Sequence, residues 1–444
     1  MFKKFIATVS VIMALMIAFG SVTSFAAVDY GCKVKTVTDS ILLVNMDKNT
    51  TVFEKNADQK RYPASTTKIM TYIIVSENVE DIKNTRVEVK QEVLDELSGT
   101  GSSLSGLSYH VGDKMTVWDL LHCLMVSSGN DAALVLGYYV GGGNMQTFVD
   151  MMNAKAKELG CENTNFVNPH GLHDNNHYTT ARDMYKIATY ALSLPYFAEI
   201  TNTVTYYCEG DDYPLVTTNY LIDENRGGDY YYMYAQGIKT GTTNEAGRCL
   251  VTTAVADGYA YICILFHAPY DENAETQTNG AMIDAKELFR WALLNLELNP
   301  IITKTTPVCE QKINYAWNKD SIQLVPQDDI SEILPNDTKQ EDITIEPSIS
   351  EIVDTPIKQG DVLGTAKVLY KGQEIKKINL VADETVERSE LLYTLEVIKN
   401  IATSYWFIIA MVLIIILFAL YLFVTSLYNN RKKKNKNVKR YRKM

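Results

Sequence analysis

Pro63-Ala64-Ser65-Thr66-Thr67-Lys68-Ile69-Met70-Thr71 sets a hydroxyl and an amine three residues apart, at the start of an apolar run. If a helix begins there, Ser65 and Lys68 share a face, because residues i and i+3 are surface neighbours on a helix. A serine alone is a poor nucleophile and needs a base to take its proton. A lysine one turn away can be that base once a dry pocket lowers its proton affinity.

The chain has 444 residues, enough for two or three domains, and 46% of them are hydrophobic, which marks folded domains and not disorder. Lys3 and Lys4 precede an apolar stretch from Phe5 to Phe19, and Ser24-Phe25-Ala26 closes it with small residues where a signal peptidase reads. Residues 1–26 are therefore expected to be a secretory signal. A second apolar run, from Tyr405 to Val424, carries no charge. About 20 helical residues rise about 30 Å, the thickness of a bilayer's hydrocarbon core. Nine lysines and arginines and no acid lie between Arg431 and Met444, so the tail is expected on the cytoplasmic side and the rest outside. The net charge of −11 hides this asymmetry: without the tail and signal, 31 basic residues face 53 acidic ones. Nucleic acid is no partner for so acidic an exported portion. Seven widely spaced cysteines without a CxxC pair suggest buried thiols, with at most one bridge.

Ser40–Met46 reads as a strand, Asp47–Thr50 as a turn and Thr51–Phe53 as a returning strand. Ser65 to Val79 reads as a helix, and apolar spacing stays mostly helical from Thr85 to Gly160, broken at Ser98–Gly106. Ala235–Gly241 and Arg248–Ala256 look like strands, Asp257-Gly258 is a hairpin signal, and Tyr259–Phe266 is its partner strand. Gly280 to Leu298 is a final amphipathic helix. Tyr230-Tyr231-Tyr232-Met233-Tyr234 could line a substrate groove, but a half-buried strand of the sheet is the expected reading. Past Pro300 short alternating stretches, such as Val362–Tyr370 and Glu374–Val381, point to a small all-β domain whose acidic segment Asp328–Asp354 is expected to include a loop. The resulting division is 1–26 signal, 27–300 catalytic domain, 301–390 β domain, 391–404 stalk, 405–427 membrane helix and 428–444 basic tail.

Ser65/Lys68 is the one SxxK in the sequence; Ser128-Gly129-Asn130 follows about sixty residues on, and Lys239-Thr240-Gly241-Thr242 about a hundred beyond that. A nucleophile–base pair, then SxN, then KTG, in that order, is a strong signal. With them stand Ser127-Ser-Gly-Asn-Asp-Ala-Ala133, Asn168-Pro-His-Gly-Leu172, Thr179-Thr-Ala-Arg-Asp183 and Gly237-Ile-Lys-Thr-Gly-Thr242. On these blocks the chain resembles the low-molecular-mass penicillin-binding proteins that are serine-type D-alanyl-D-alanine carboxypeptidases. The resemblance runs from Val34 to Leu298, and the β domain also looks similar around Ile357–Gly364.

That resemblance implies an α/β (α+β) fold of the β-lactamase/transpeptidase kind. Helices would cover both faces of an antiparallel sheet, and a helical insert would carry Ser128. It implies that Ser65 attacks the carbonyl between the last two D-alanines of a peptidoglycan stem peptide and that Lys68 accepts its proton. Ser128 would relay a proton to the departing amine, Asn130 would bind the peptide backbone, and Lys239 would attract the terminal carboxylate. Thr240, Gly241 and Thr242 would form the strand edge that holds the peptide. β-Lactam antibiotics are the expected inhibitors, and no cofactor or metal is implied. An oxyanion needs preorganised donors, and the backbone N–H groups of Ser65 and Thr242 are candidates; losing one such donor costs about 3–4 kcal/mol.

Plainer readings exist for each motif. Ser65 could be a helix N-cap, Ser128-Gly129-Asn130 a turn, and Lys239 a solvated lysine. His170, His173 and His177 form a cluster that could suggest zinc, but their spacing does not place them on one helical face. Arg248 could meet a carboxylate, yet no motif assigns it that role. Among competing functions, a class A β-lactamase would need a glutamate-held water, and no ExxLN-like segment occurs between Ser128 and Lys239. D,D-endopeptidase or transpeptidase activity would share the same acylation. A non-catalytic wall-binding scaffold would not need an intact Ser65, Lys68, Ser128 and Lys239.

Overall fold

Strand β1 (Ser40–Asn45) is an unbroken run that is buried along its whole length, as a strand covered on both faces must be. The computed structural model describes residues 28–271 and 278–441; the expected signal segment lies outside them. With β2 (Thr50–Lys55), β3 (Ala235–Thr243), β4 (Gly247–Ala256) and β5 (Tyr259–Ala268), β1 forms an antiparallel sheet in the order β2-β1-β5-β4-β3. Register pairs Leu42 with Ile264, Val251 with Ile264, and Thr240 with Leu250. Asp257 and Gly258 both have positive φ, 52° and 81°, the backbone of a tight hairpin turn whose twist suits the flanking strands. Strand β3 lies at the sheet edge, so its outer backbone groups are left for another chain.

Successive side chains of a strand point to opposite faces. Leu42, Val44, Ile262, Ile264 and Phe266 enter the main core, while Ile41, Leu43, Cys263 and Leu265 are buried on the other side. The main core is built around α1 (Lys68–Asn78), whose first eight residues are all buried. A helix apolar all round belongs inside a protein. It packs against α2 (Val117–Met125), α3 (Asn130–Val140), α4 (Met145–Glu158) and α5 (Ala181–Leu192). Helix α6 (Gly280–Asn295) lies on β4 and β5, and α5 on β5 and β1. This mixed α/β fold, with an antiparallel sheet and helices on both its faces, is the one the motifs implied.

The second compact unit comprises residues 300–331 and 340–444. Its sheet contains β6 (Cys309–Asn314), β7 (Ser321–Pro326), β8 (Ile343–Ile349), β9 (Val353–Asp354), β10 (Val362–Tyr370) and β11 (Gln373–Ala382), in the order β8-β10-β11-β7-β6-β9. Alternate residues, among them Ile322, Leu324, Ala366, Val368, Ile378 and Leu380, make its core. Helix α7 (Glu390–Thr403) is capped by Ser389, and α8 (Tyr405–Tyr441) follows. The Tyr405–Lys432 part of α8 is long and apolar enough to cross a membrane, and its side chains are unburied.

Two local expectations change. Tyr230–Tyr234 is not a strand: it leaves a short 3-10 turn and runs as irregular chain into β3, fixed where the Tyr232 N–H meets Leu221 O and the Tyr230 hydroxyl accepts from Asn279 N–H. The acidic segment 328–354 has its loop at residues 336–339, between strands Ile330–Pro335 and β8. The helix begun at Gly280 stops at Asn295, and Leu296 turns extended. All seven cysteines are free thiols, although the sulfurs of Cys123 and Cys208 lie 3.7 Å apart.

Buried Asp284 of α6 takes the backbone N–H groups of Val37 and Thr38, at 3.0 and 2.7 Å, and so fastens the segment that leads into β1. Asp284→Ala leaves two N–H groups without their acceptor, and we expect a loss of about 3 kcal/mol. Urea unfolding checks this through a lower midpoint at unchanged slope.

Candidate active site

The chain reaches Ser65 through a strained corner. Arg61 bridges Thr179 by paired backbone hydrogen bonds, Ala64 adopts φ 48°, and residues Ala64–Thr67 form a 3-10 turn ahead of α1. The Thr66 N–H and hydroxyl both donate to Pro63 O, so Thr66 closes the turn. Ser65 makes no capping hydrogen bond. Its Oγ instead lies 2.9 Å from Lys68 Nζ.

Lys68 is fully buried. Its Nζ also lies 2.5 Å from Asn130 Oδ1 and 3.0 Å from His170 O. Both of these oxygens can only accept. A neutral amine has two N–H donors and one lone pair. In that neutral form, two fixed acceptors would consume both donors and leave the lone pair for the Ser65 hydroxyl. Burial drives the Lys68 pKa far below that of a free lysine; the nearby Lys239 charge pushes the same way, and Asp131 opposes.

Asn130 opens α3 just after the Ser127-Ser128-Gly129 turn. Ser127 Oγ and Gly129 N–H both donate to Cys123 O, and Asn130 N–H donates to Ser103 O. Ser128 is buried, with φ 64°. Asp131 accepts from Ser105 N–H, Ser105 Oγ and Leu107 N–H, which moors the 98–110 loop to this helix.

On the other side stands β3. Lys239 is buried, and burial pushes its pKa down to about 7. The Asn219 amide donates to Gly237 O, and Thr218 Oγ1 lies 2.5 Å from Thr240 Oγ1. Gly241 presses on the nucleophile turn: a Cβ there would stand 2.9 Å from Ser65 N and 3.0 Å from Pro63 O. Direct hydrogen bonds thus unite Ser65, Lys68 and Asn130. Packing brings in Gly241, and charge couples Lys239 to Lys68.

The floor is the 168–178 loop. Asn168 Oδ1 accepts from Gly171 N–H, and Thr71 Oγ1 donates to Pro169 O. His177 Nδ1 accepts the Val167 N–H, so its proton sits on Nε2 and is donated to Thr67 Oγ1 at 2.7 Å. Burial lowers the His177 pKa to about 4 and that of His170 to about 3. His173 meets the Tyr62 ring edge-on. Among the described residues no group of three or more His, Cys, Asp or Glu could hold a metal ion. Arg248, on β4, lies over the Tyr270 ring.

Sequence reasoning missed several supports. Asp131 sat inside a quoted block without a role, and nothing marked Thr218, Asn219 or the His177–Thr67 pair, since each acts through a fold contact eighteen or more residues away in the chain.

The profile of the D-alanyl-D-alanine carboxypeptidase family matches residues 30–270, and that of the penicillin-binding protein 5 C-terminal domain matches residues 297–388. The first spans more than half of the chain, which therefore belongs to the D-alanyl-D-alanine carboxypeptidase family of penicillin-binding proteins. It is an enzyme of the serine peptidase class. The D-alanyl-D-alanine carboxypeptidase DacF of Bacillus subtilis is 29% identical over 355 residues, covering 79% of this chain and 86% of its own. A D-alanyl-D-alanine carboxypeptidase of Streptomyces sp. K15 is 33% identical over 232 residues, covering 49% and 77%. Penicillin-binding protein 5 of Haemophilus influenzae has a similar solved structure, with a TM-score of 0.62 at 26% identity, covering 80% of this chain and 99% of its own.

Gly171 has φ 89°, and a Cβ there would fall 1.8 Å from Ala64 O, the carbonyl just before Ser65. Gly171→Ala must shift that carbonyl, and a displacement near 1 Å costs about 10²-fold in rate. We expect kcat/KM on a D-Ala-D-Ala peptide to fall by about that factor, with far-UV circular dichroism unchanged.

Proposed function

We propose that this enzyme removes the terminal D-alanine from peptidoglycan stem pentapeptides through an acyl-enzyme on Ser65. The observation that carries the reading is the 2.9 Å contact between Ser65 Oγ and a Lys68 amine whose other two neighbours are acceptors. Lys68 takes the hydroxyl proton as Oγ adds to the carbonyl, and the oxyanion lies against the backbone N–H groups of Ser65 and Thr242. The Asn130 amide, whose oxygen is held by Lys68, keeps its N–H donors for the peptide carbonyl. Ser128 passes the proton to the leaving amine. Lys239, with Thr240, draws the terminal carboxylate, and the peptide lies along the free edge of β3 beside Gly241. Water then hydrolyses the ester. A β-lactam, which imitates the D-Ala-D-Ala end, acylates the same oxygen and stays.

Residues 1–26 export the chain, the 27–300 and 301–390 domains work outside the cell, 391–404 forms a stalk, 405–427 anchors it, and 428–444 remain in the cytoplasm. The apolar α8 and the basic tail after it support this orientation.

Fluorescent penicillin tests the nucleophile and base together. We expect the wild type to label covalently, Ser65→Ala not to label, and Lys68→Ala to acylate at least about 10³-fold more slowly. Equal labelling of Ser65→Ala would overturn the assignment. Adding an amine acceptor separates hydrolysis from transpeptidation, since both begin from the same ester.

The two lysines act in opposite protonation states. Lys68 works after losing its proton, and Lys239 works while it keeps one, below about 7. We expect kcat/KM for a carboxylate-ended peptide to fall as pH rises past about 7. Lys239→Arg keeps its charge to far higher pH, so it should remove that descending limb.

A further inference from the structure

The thiols of Cys123 and Cys208 are both buried, and their sulfurs lie 3.7 Å apart. A disulfide bond is about 2.05 Å long, so the pair stands within about 2 Å of bonding distance. The catalytic steps above use neither sulfur.

Their nearness is set by the elements that carry them. Cys123 lies on α2, and Cys208 follows the strand Thr205–Tyr206, which pairs with Leu215–Val216. Asp119, His122 and Cys123, at i, i+3 and i+4, share one face of α2. The Tyr206 hydroxyl donates to Asp119 Oδ1 at 2.6 Å, and the Tyr206 ring stacks on His122 with centroids 3.6 Å apart. One face of the helix therefore meets Tyr206 and Cys208 in turn.

The stretch between the two cysteines carries much of the site. It includes Ser128, and it supplies both acceptors of the Lys68 amine, Asn130 Oδ1 and His170 O. At one end, Cys123 O holds the Ser127-Ser128-Gly129 turn by accepting from Ser127 Oγ and Gly129 N–H. At the other, Thr218 leaves the hairpin, donates its N–H to Val126 O and meets Thr240 of β3. A bond at this point would tie the hairpin to the helix that leads into Ser128.

Reagents reach the pair through the hairpin. Its two strands are only two residues long, and Cys208 lies between exposed Tyr207 and exposed Glu209. So short a pairing opens more readily than the core. The contact with Cys208, together with burial, holds the Cys123 pKa well above that of a free thiol, so the closed pair is unreactive.

We propose that Cys123 and Cys208 are an oxidation site, at which an external disulfide converts the two thiols into an intrachain bond that staples the 205–216 hairpin to α2. The Cys208 thiolate attacks one sulfur of that disulfide, and the other sulfur leaves as a thiolate. Cys123 then attacks Cys208 Sγ in the mixed disulfide and expels the second external thiolate. The two protein protons pass to the released thiolates, and the two electrons lost by the cysteines reduce the external disulfide. Export, as proposed above, places the chain where such bonds persist.

The test supplies glutathione disulfide to the full-length protein in detergent, so it does not depend on where the chain resides. Digestion without reductant should return one linked peptide pair, joined through Cys123 and Cys208, and leave five of the seven cysteines open to iodoacetamide. The bond closes a loop of 85 residues, so the oxidised protein should melt about 10 °C above the dithiothreitol-reduced one by circular dichroism. Fluorescent penicillin labelling after a heat pulse should survive to a correspondingly higher temperature. Cys208→Ser should melt at one temperature with or without the oxidant. Seven modified cysteines after oxidation, a bond joining another pair, or equal melting of oxidised and reduced wild type would overturn the proposal. If neither form labels with penicillin, the acylation reading falls, while the linked peptide and the melting shift still decide the bond.

Discussion

An amine sealed from water, with both of its hydrogens committed, is the constraint around which this enzyme is arranged. A buried ammonium is costly, and burial accordingly pushes the Lys68 pKa well below that of a free lysine. Asn130 and His170 then decide where the lone pair points. Each of those acceptors comes from a different part of the chain, so α3 and the 168–178 loop must both be in place to fix the Lys68 amine beside Ser65.

The sheet serves this centre by supplying an edge. Strand β3 is left unpaired on its outer side, and the same strand carries a second buried lysine whose charge disfavours a proton on Lys68. The charge of Lys239 adds to burial in lowering the proton affinity of Lys68, so the two lysines are electrostatically linked across the cleft.

Much of this was readable before any coordinates. The alternating and continuous apolar runs located β1, β4, β5 and the helix after Ser65. Asp257-Gly258 announced its hairpin, and the three short motifs named most of the residues that now converge. Tyr230–Tyr234 misled because tyrosine favours strands, yet here backbone and hydroxyl contacts with Leu221 and Asn279 hold the run outside the sheet. The supporting contacts of Asp131, Asn219, Thr218 and His177 stayed hidden for a different reason. They hold loops and strands through contacts set by the fold, and nothing in their local spacing announces it.

The contact of Gly241 with the turn at Ser65 limits how this protein can change over generations. Any side chain at that point would meet Ser65 N, Ala64 Cβ and Pro63 O and wedge the strand from the turn, so the two segments can vary only together.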